Sequence, residues 1–365
     1  MKRLLCIISG MNSGGAETFL MKIYRQIEKL EYQFDFCINT KGKNFYEDEI
    51  KSFGGLIFYI PAKSENIAEY KKQLYAIVKN NGYKYVLRIT SNAMGFMDLK
   101  IAKAAGAKRC IVRSSNSQDG SGLKIRCAHW LGLLLYSQCV DVKMAPSDLA
   151  AKHTFGKRVY EKGDVKILHN ALDLNQFYFY PNAKENICKE FNIDENTVII
   201  GHIGRFMTQK NHKFLVKVFF YLQKQIPDAV LLLVGTGELE EDIKQEVKTL
   251  GLDSKVIFTG VRKDIPQLLS AMDVMIFPSL YEGMPNVIIE AQATGLPCVI
   301  SDTITAEANI TGLVEYKSLS ISPDGWAGTA IKLLGHKRKD TKEDFLKNKY
   351  DIESVTNEFV NLVFQ

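Results

Sequence analysis

Three short segments of this 365-residue chain bring charge, glycine and proline together in patterns that could serve an anionic ligand. The first, Gly204-Arg205-Phe206-Met207-Thr208-Gln209-Lys210, follows an apolar run at 198–203 and sets two cations five residues apart. Cations leaving a buried strand are costly near a cleft unless an anion neutralises them, and each charge-assisted contact to phosphate contributes roughly 1.5–3 kcal/mol. Two solvated loop cations are the alternative. In the second segment, 277–291, Pro285 suits the first helical position, so Glu282 falls in the preceding loop and Glu290 inside the helix beside Ile288, Ile289 and Ala291. A carboxylate on an apolar face needs partners, whereas on a solvent-facing edge it needs none. The third, Asn12-Ser13-Gly14-Gly15-Ala16-Glu17, lies between an apolar run and a helical pattern. Paired glycines let a ligand approach the backbone, and a helix N-terminus offers free N–H groups and about half a positive charge; a tight turn capped by Ser13 reads equally well.

Other chemistries are excluded by inspection. There is no Walker A sequence, no Gly-x-Gly-x-x-Gly, no Gly-x-Ser-x-Gly, no His-Glu-x-x-His, and no Asp-x-Asp to hold a metal on a diphosphate. Any bound phosphate must rely on amides, helix N-termini and cationic side chains, so neither a metal nor a cofactor is expected.

The elements that would position these segments alternate. Strand-like runs at 4–9, 34–38, 56–60, 85–89, 109–113, 142–146 and 165–168 are separated by helical patterns, the first carrying Phe19, Leu20, Ile23, Tyr24 and Ile27 on one face. An aromatic, Pro181-containing stretch interrupts the series near 173–190. A second series follows, with strands at 198–203, 230–234, 256–259, 274–277 and 298–301. Strands alternating with helices imply parallel sheets covered on both faces. The expected α/β fold is therefore two doubly wound Rossmann-like domains, 1–175 and 176–345, facing each other across a cleft. Short helices end the chain, with 346–365 free to pack back on the first domain.

Composition agrees with a globular chain: 46% hydrophobic, 24% charged and 10% aromatic residues exclude disordered and collagen-like classes. Seven scattered cysteines without a Cys-x-x-Cys pair suit a reducing cytoplasm. The opening MKRLLCIISG has too short an apolar run for a signal peptide, and no stretch reaches membrane-spanning length. The net charge of +6 is uneven. Residues 1–175 hold 27 Lys+Arg against 16 Asp+Glu (+11), the remainder 20 against 25 (−5). A basic half suits an anionic small molecule or membrane. Lys124 and Arg126 precede Trp130-Leu131-Gly132-Leu133-Leu134-Leu135-Tyr136, which reads as a helix that either packs in the core or lies on an anionic membrane surface. No basic and aromatic module for nucleic acid is apparent.

Together, Gly14-Gly15-Ala16-Glu17, Gly204-Arg205-x4-Lys210 and Glu282-x7-Glu290 resemble family 4 retaining glycosyltransferases of the GT-B fold, along nearly the whole chain. The opening SGMNSGGAETFLMKIYRQIEKLEYQFDF resembles bacterial enzymes that build capsular and exopolysaccharide repeat units. The resemblance implies an acceptor-binding first domain and a nucleotide-sugar-binding second domain. It puts Gly14 and Gly15 on the donor side, with Gly15 offering its amide to the diphosphate. Arg205 and Lys210 would hold that diphosphate, Glu290 the ribose, and Glu282 the transferred sugar. Gly283, Met284 and Pro285 would face sugar and phosphate, Val261 and Arg262 the base, and Gly237 would lie in a turn beside the nucleotide.

Many relatives carry His-x-His where this chain reads Arg113-Ser114-Ser115-Asn116-Ser117-Gln118. Asn116 and Gln118 can hydrogen-bond on the acceptor or sugar side but cannot titrate. His169 is a substitute imidazole, or else a packed histidine. The expected activity is metal-independent, retaining transfer from a nucleoside-diphosphate sugar, in this family a UDP-sugar. The acceptor would be a saccharide or an undecaprenyl-diphosphate-linked chain, at the cytoplasmic side of the membrane. A sugar-nucleotide-binding subunit without activity, supporting a partner transferase, is the alternative. A non-hydrolysing epimerase shares the architecture but would lack the Glu282-x7-Glu290 pair.

Overall fold

The computed structural model describes residues 1–12, 14–40, 42–115, 122–282 and 284–365. Asn116, Gln118 and Gly283 fall outside them. The chain divides into two units, Met1–Ala171 with Lys349–Gln365, and Leu172–Asn348.

The first unit contains β1 (Lys2–Ile7), β2 (Tyr32–Ile38), β3 (Ile57–Tyr59), β4 (Tyr85–Ile89), β5 (Arg109–Arg113), β6 (Val142–Ala145) and β7 (Val165–Ile167), in the order β3-β2-β1-β4-β5-β6-β7. Every pairing is parallel. The apolar run of β1 is explained by burial on both faces: Leu4 and Cys6 enter one core cluster, Leu5 and Ile7 the other. The C-terminal helix Ile352–Phe364, capped by Asp351, belongs to this unit and packs Phe359 against Phe19 and Phe34.

The second unit contains β8 (Ile199–Ile203), β9 (Val230–Val234), β10 (Val256–Phe258), β11 (Val274–Phe277), β12 (Cys298–Ser301) and β13 (Val314–Lys317), ordered β10-β9-β8-β11-β12-β13 and also parallel throughout. The same alternation operates. Leu231 and Leu233 point to one cluster, Leu232 and Val234 to the other.

Both sheets are doubly wound. Strand order reverses between β1 and β4 in one and between β8 and β11 in the other, and open parallel sheets take ligands at the carboxyl ends of the strands flanking such a reversal. The loops leaving β8 and β11 carry Arg205, Lys210 and Glu282.

Three features depart from the expected pattern. β13 is an edge strand with the half-polar sequence Val-Glu-Tyr-Lys, too short to show a period. Helix Pro323–Leu333 contains Gly325 and Gly328, which dilute its apolar face, although Trp326 is fully buried. Helix Leu123–Tyr136 does not pack as a core helix, because only Gly132 among its residues is buried.

Candidate active site

After β8 the backbone is held against the next strand, with Gly204 N donating to Val234 O at 2.9 Å and Phe206 N to Thr236 O at 3.1 Å. Phe206 is wholly buried and stacks on His212, leaving its neighbour Arg205 exposed. No side-chain partner holds Arg205 among the described residues. The chain then turns through the short helix Thr208–Lys210, and Asn211 in the left-handed region (φ 56°) redirects it into helix His212–Gln225. Lys210 therefore folds back over the strand ends. Its ammonium lies 4.6 Å from the centre of the Phe277 ring and 2.6 Å from Glu282 Oε1.

Glycines make this possible. A Cβ on Gly204 would stand 3.3 Å from Lys210 Cδ, one on Gly235 2.3 Å from Gly204 O, and one on Gly237 2.4 Å from Phe206 O. Gly235 also has φ +133°, a conformation that disfavours side chains, so the turn after β9 can lie directly under the Arg205 loop.

The loop after β11 is tied to the loop after β8 in two further places. Leu280 N donates to Gln209 O at 2.8 Å, and Gln209 Nε2 to Tyr281 O at 2.8 Å. Lys210 and Glu282 side chains are only 16% and 10% exposed, which makes theirs a largely desolvated pair. Pro285 is the N-cap of helix Asn286–Ala293 rather than its first helical residue; Met284 and Glu290 are half-buried.

Beneath the site lie two neutral histidines. His202 Nδ1–H donates to Ile276 O at 2.9 Å, and burial, then the nearby His212, depresses its protonation well below the usual range. His212, its ring 4.6 Å from that of His202, is pushed down to about 4, chiefly by burial and then by the Lys210 charge.

Val261 is 76% exposed beyond Gly260 and is free to meet a ligand. Arg262 is engaged instead. Its guanidinium clasps Asp264 (Nε–Oδ1 2.8 Å, Nη2–Oδ2 2.6 Å) and Glu190 (Nη2–Oε2 3.0 Å), and these carboxylates, Asp264 first, raise its already high basicity.

In the first unit, Gly14 caps helix Gly15–Gln26 without a side-chain cap, and a Cβ there would lie 2.4 Å from Glu17 Oε2. Both glycines are exposed, so amides are accessible at that N-terminus. Desolvation raises the Glu17 carboxyl above its ordinary range. His169 donates from Nδ1 to Pro146 O at 3.1 Å and stacks on Tyr350 at 4.0 Å; burial lowers its basicity. Packing therefore accounts for His169.

Sequence reasoning singled out Arg205, Lys210 and Glu282, of which the structure brings Lys210 and Glu282 into contact, but assigned nothing to Phe277, Gln209, His202 or His212. Gln209 sits in the segment 204–210 and the two histidines just beyond its ends, where position alone gives no sign of the contact.

The Lys210–Glu282 contact thus lies at the strand-order reversal of a GT-B fold. Residues 197–336 match the model of glycosyl transferases group 1. The Bacillus subtilis (strain 168) protein EpsF, named as a glycosyltransferase, is 34% identical across 99% of this chain and 96% of its own length. The chain belongs to the group 1 glycosyltransferases. An Escherichia coli UDP-Gal:alpha-D-GlcNAc-diphosphoundecaprenol alpha-1,3-galactosyltransferase is 28% identical over 74% of this chain and 72% of its own. Among solved structures, Anabaena Alr3699/HepE in complex with UDP superposes with TM-score 0.80 at 17% identity, covering 99% of each chain.

Proposed function

We propose that the protein is a retaining, metal-independent transferase of family 4 type. It moves a sugar from a UDP-sugar to a saccharide carried on a lipid diphosphate, during capsular or exopolysaccharide assembly at the cytoplasmic face of the membrane. The observation that carries the reading is the Lys210–Glu282 contact at the β8/β11 reversal, with the exposed Arg205 on the same β8 loop. The names of two relatives support the nucleotide and the acceptor: the Anabaena structure holds UDP, and the Escherichia coli enzyme is named for UDP-galactose and a diphosphoundecaprenol acceptor.

In this mechanism the acceptor oxygen bonds to the anomeric carbon as the bond from that carbon to the phosphate oxygen breaks. The departing oxygen takes the acceptor proton, so Asn116, Gln118 and His169 need not titrate. Negative charge grows on the diphosphate, where Arg205 and Lys210 provide fixed positive charge. Glu282 accepts from a hydroxyl of the transferred sugar while tethering Lys210. Glu290 accepts from the ribose, and Gly237, Val261 and the backbone at Arg262 border the base. Met284 and Pro285 line the sugar side.

The test is UDP release from a panel of UDP-sugars, with and without a diphosphoundecaprenol-linked saccharide. Acceptor-dependent release supports transfer. Binding of UDP without release from any donor supports the non-catalytic subunit instead.

A further inference from the structure

Helix Leu123–Tyr136 is built the wrong way round for a soluble surface. Its sequence, LKIRCAHWLGLLLY, contains no carboxylate. A step of about 100° per residue groups Leu123, Trp130 and Leu134 within an arc of about 40°, directly opposite Gly132. Gly132 is the face that docks: its missing Cβ would fall 2.4 Å from the Ala93 carbonyl carbon and 2.5 Å from Met94 N, so the helix rests on the Ala93–Phe96 turn by its glycine. The opposite arc is consequently outermost. Leu123 is 77% exposed, Trp130 65% and Leu134 62%, with Leu131 and Leu135 also exposed beside them. Lys124 and Arg126 project on either flank of that arc.

At the helix end a groove of about 480 Å³ is lined by Lys71, Lys72, Tyr75, Lys100 and Tyr136, among others. All three lysines are exposed, and none is paired with a carboxylate among the described residues. Lys100 lies 5.7 Å from the Tyr136 ring centre.

We propose that this face docks the first unit on an anionic lipid bilayer, the apolar arc entering the headgroup boundary and Lys124, Arg126 and the groove lysines meeting lipid phosphates. An outward apolar stripe bordered only by cations matches such an interface, where long basic side chains reach phosphate while their stems stay apolar. The helix lies on the membrane and does not cross it: no helix among the described residues is long and apolar enough to span. The proposal deepens the reading of a lipid-linked acceptor and rests on it for its purpose.

The test is co-sedimentation of the full chain with phosphatidylcholine vesicles and with vesicles also containing phosphatidylglycerol, at low and high salt. Trp130 emission is followed as well, since the only other tryptophan, Trp326, is fully buried. The expected result is salt-sensitive binding to the anionic vesicles with a blue shift of the emission. Trp130→Ser with Leu134→Ser should abolish it, and Lys124→Gln with Arg126→Gln should weaken it about thirty-fold, at roughly fivefold per cation. UDP affinity, measured in parallel, should be unchanged in both variants. No sedimentation, equal binding to both vesicle types, or wild-type binding by the serine variant overturns the docking surface. So does a dimer in solution that the serine variant dissolves, which would make the face a contact between copies. Vesicle binding without UDP binding would leave the docking standing and remove the transferase reading instead.

Discussion

The Lys210 ammonium sits 2.6 Å from Glu282 Oε1, joining loops whose residues are 72 apart in sequence. Each charge is the other's neutraliser in a nearly dry setting, so removing either partner strands its counterpart. Breaking a buried pair in this way costs about 3–5 kcal/mol, discounted toward the lower end by the residual exposure. Lys210→Met should therefore lower both thermal stability and turnover. Arg205→Ala, at an exposed position without a partner among the described residues, should lower turnover by about 10²–10³ with an unchanged melting temperature. Melting curves beside steady-state rates check the contrast.

Glu282→Gln and Glu290→Gln should separate transfer from nucleotide binding. The first should cut sugar transfer while sparing UDP affinity, and the second should weaken UDP. Calorimetric titration of both variants with UDP, beside their rates, checks the split; equal loss of UDP affinity in both contradicts it.

Gly237→Ala should act at a distance. Its new methyl would meet the Phe206 carbonyl at 2.4 Å, so the loop carrying Arg205 must shift. Displacement by about 1 Å of a charge-stabilising group can cost about 10²-fold in rate. A rate near wild type would mean that the loop relaxes without moving Arg205.

The buried histidines predict how stability depends on pH. His212 titrates at about 4 in the folded chain against about 6.5 when unfolded, so between those values the unfolded state binds more protons and folding weakens as pH falls. The contribution is complete above pH 6.5 and is lost by pH 4, at about 3 kcal/mol for His212 alone. His202, depressed in the same direction, adds to it. His212→Phe, which keeps the stack on Phe206, should flatten the melting temperature between pH 4 and 6.5 relative to wild type.

Since fixed cations serve the diphosphate, turnover should persist in EDTA. Loss of activity on chelation, restored by manganese or magnesium, would assign that role to a metal.

Much of the scaffold is legible from residue order alone. The strand-like runs 85–89, 109–113, 230–234, 274–277 and 298–301 coincide with β4, β5, β9, β11 and β12 because strands covered on both faces are mostly apolar, with Arg88 in β4 and an arginine at each end of β5 as the charged exceptions. The edge strand β13 escapes, since one side faces solvent and Glu315 and Lys317 interrupt the run. Local pattern also fails for the Lys210–Glu282 contact, which exists only because β8 and β11 are neighbours in the sheet. Helix Leu123–Tyr136 misleads in the opposite sense: its apolar run resembles a core helix, but it is seated by Gly132 with Leu133 and Tyr136, while Leu123, Leu131, Leu134 and Leu135 face outward.

The central claim is that the β8/β11 reversal holds a nucleoside diphosphate through Arg205 and Lys210. It is tested most directly by titrating uridine and UDP into the wild type, Arg205→Ala and Lys210→Met. The wild type should prefer UDP strongly, and each variant should lose most of that preference while binding uridine as the wild type does. Undiminished preference for UDP in both variants would show that the diphosphate is held elsewhere.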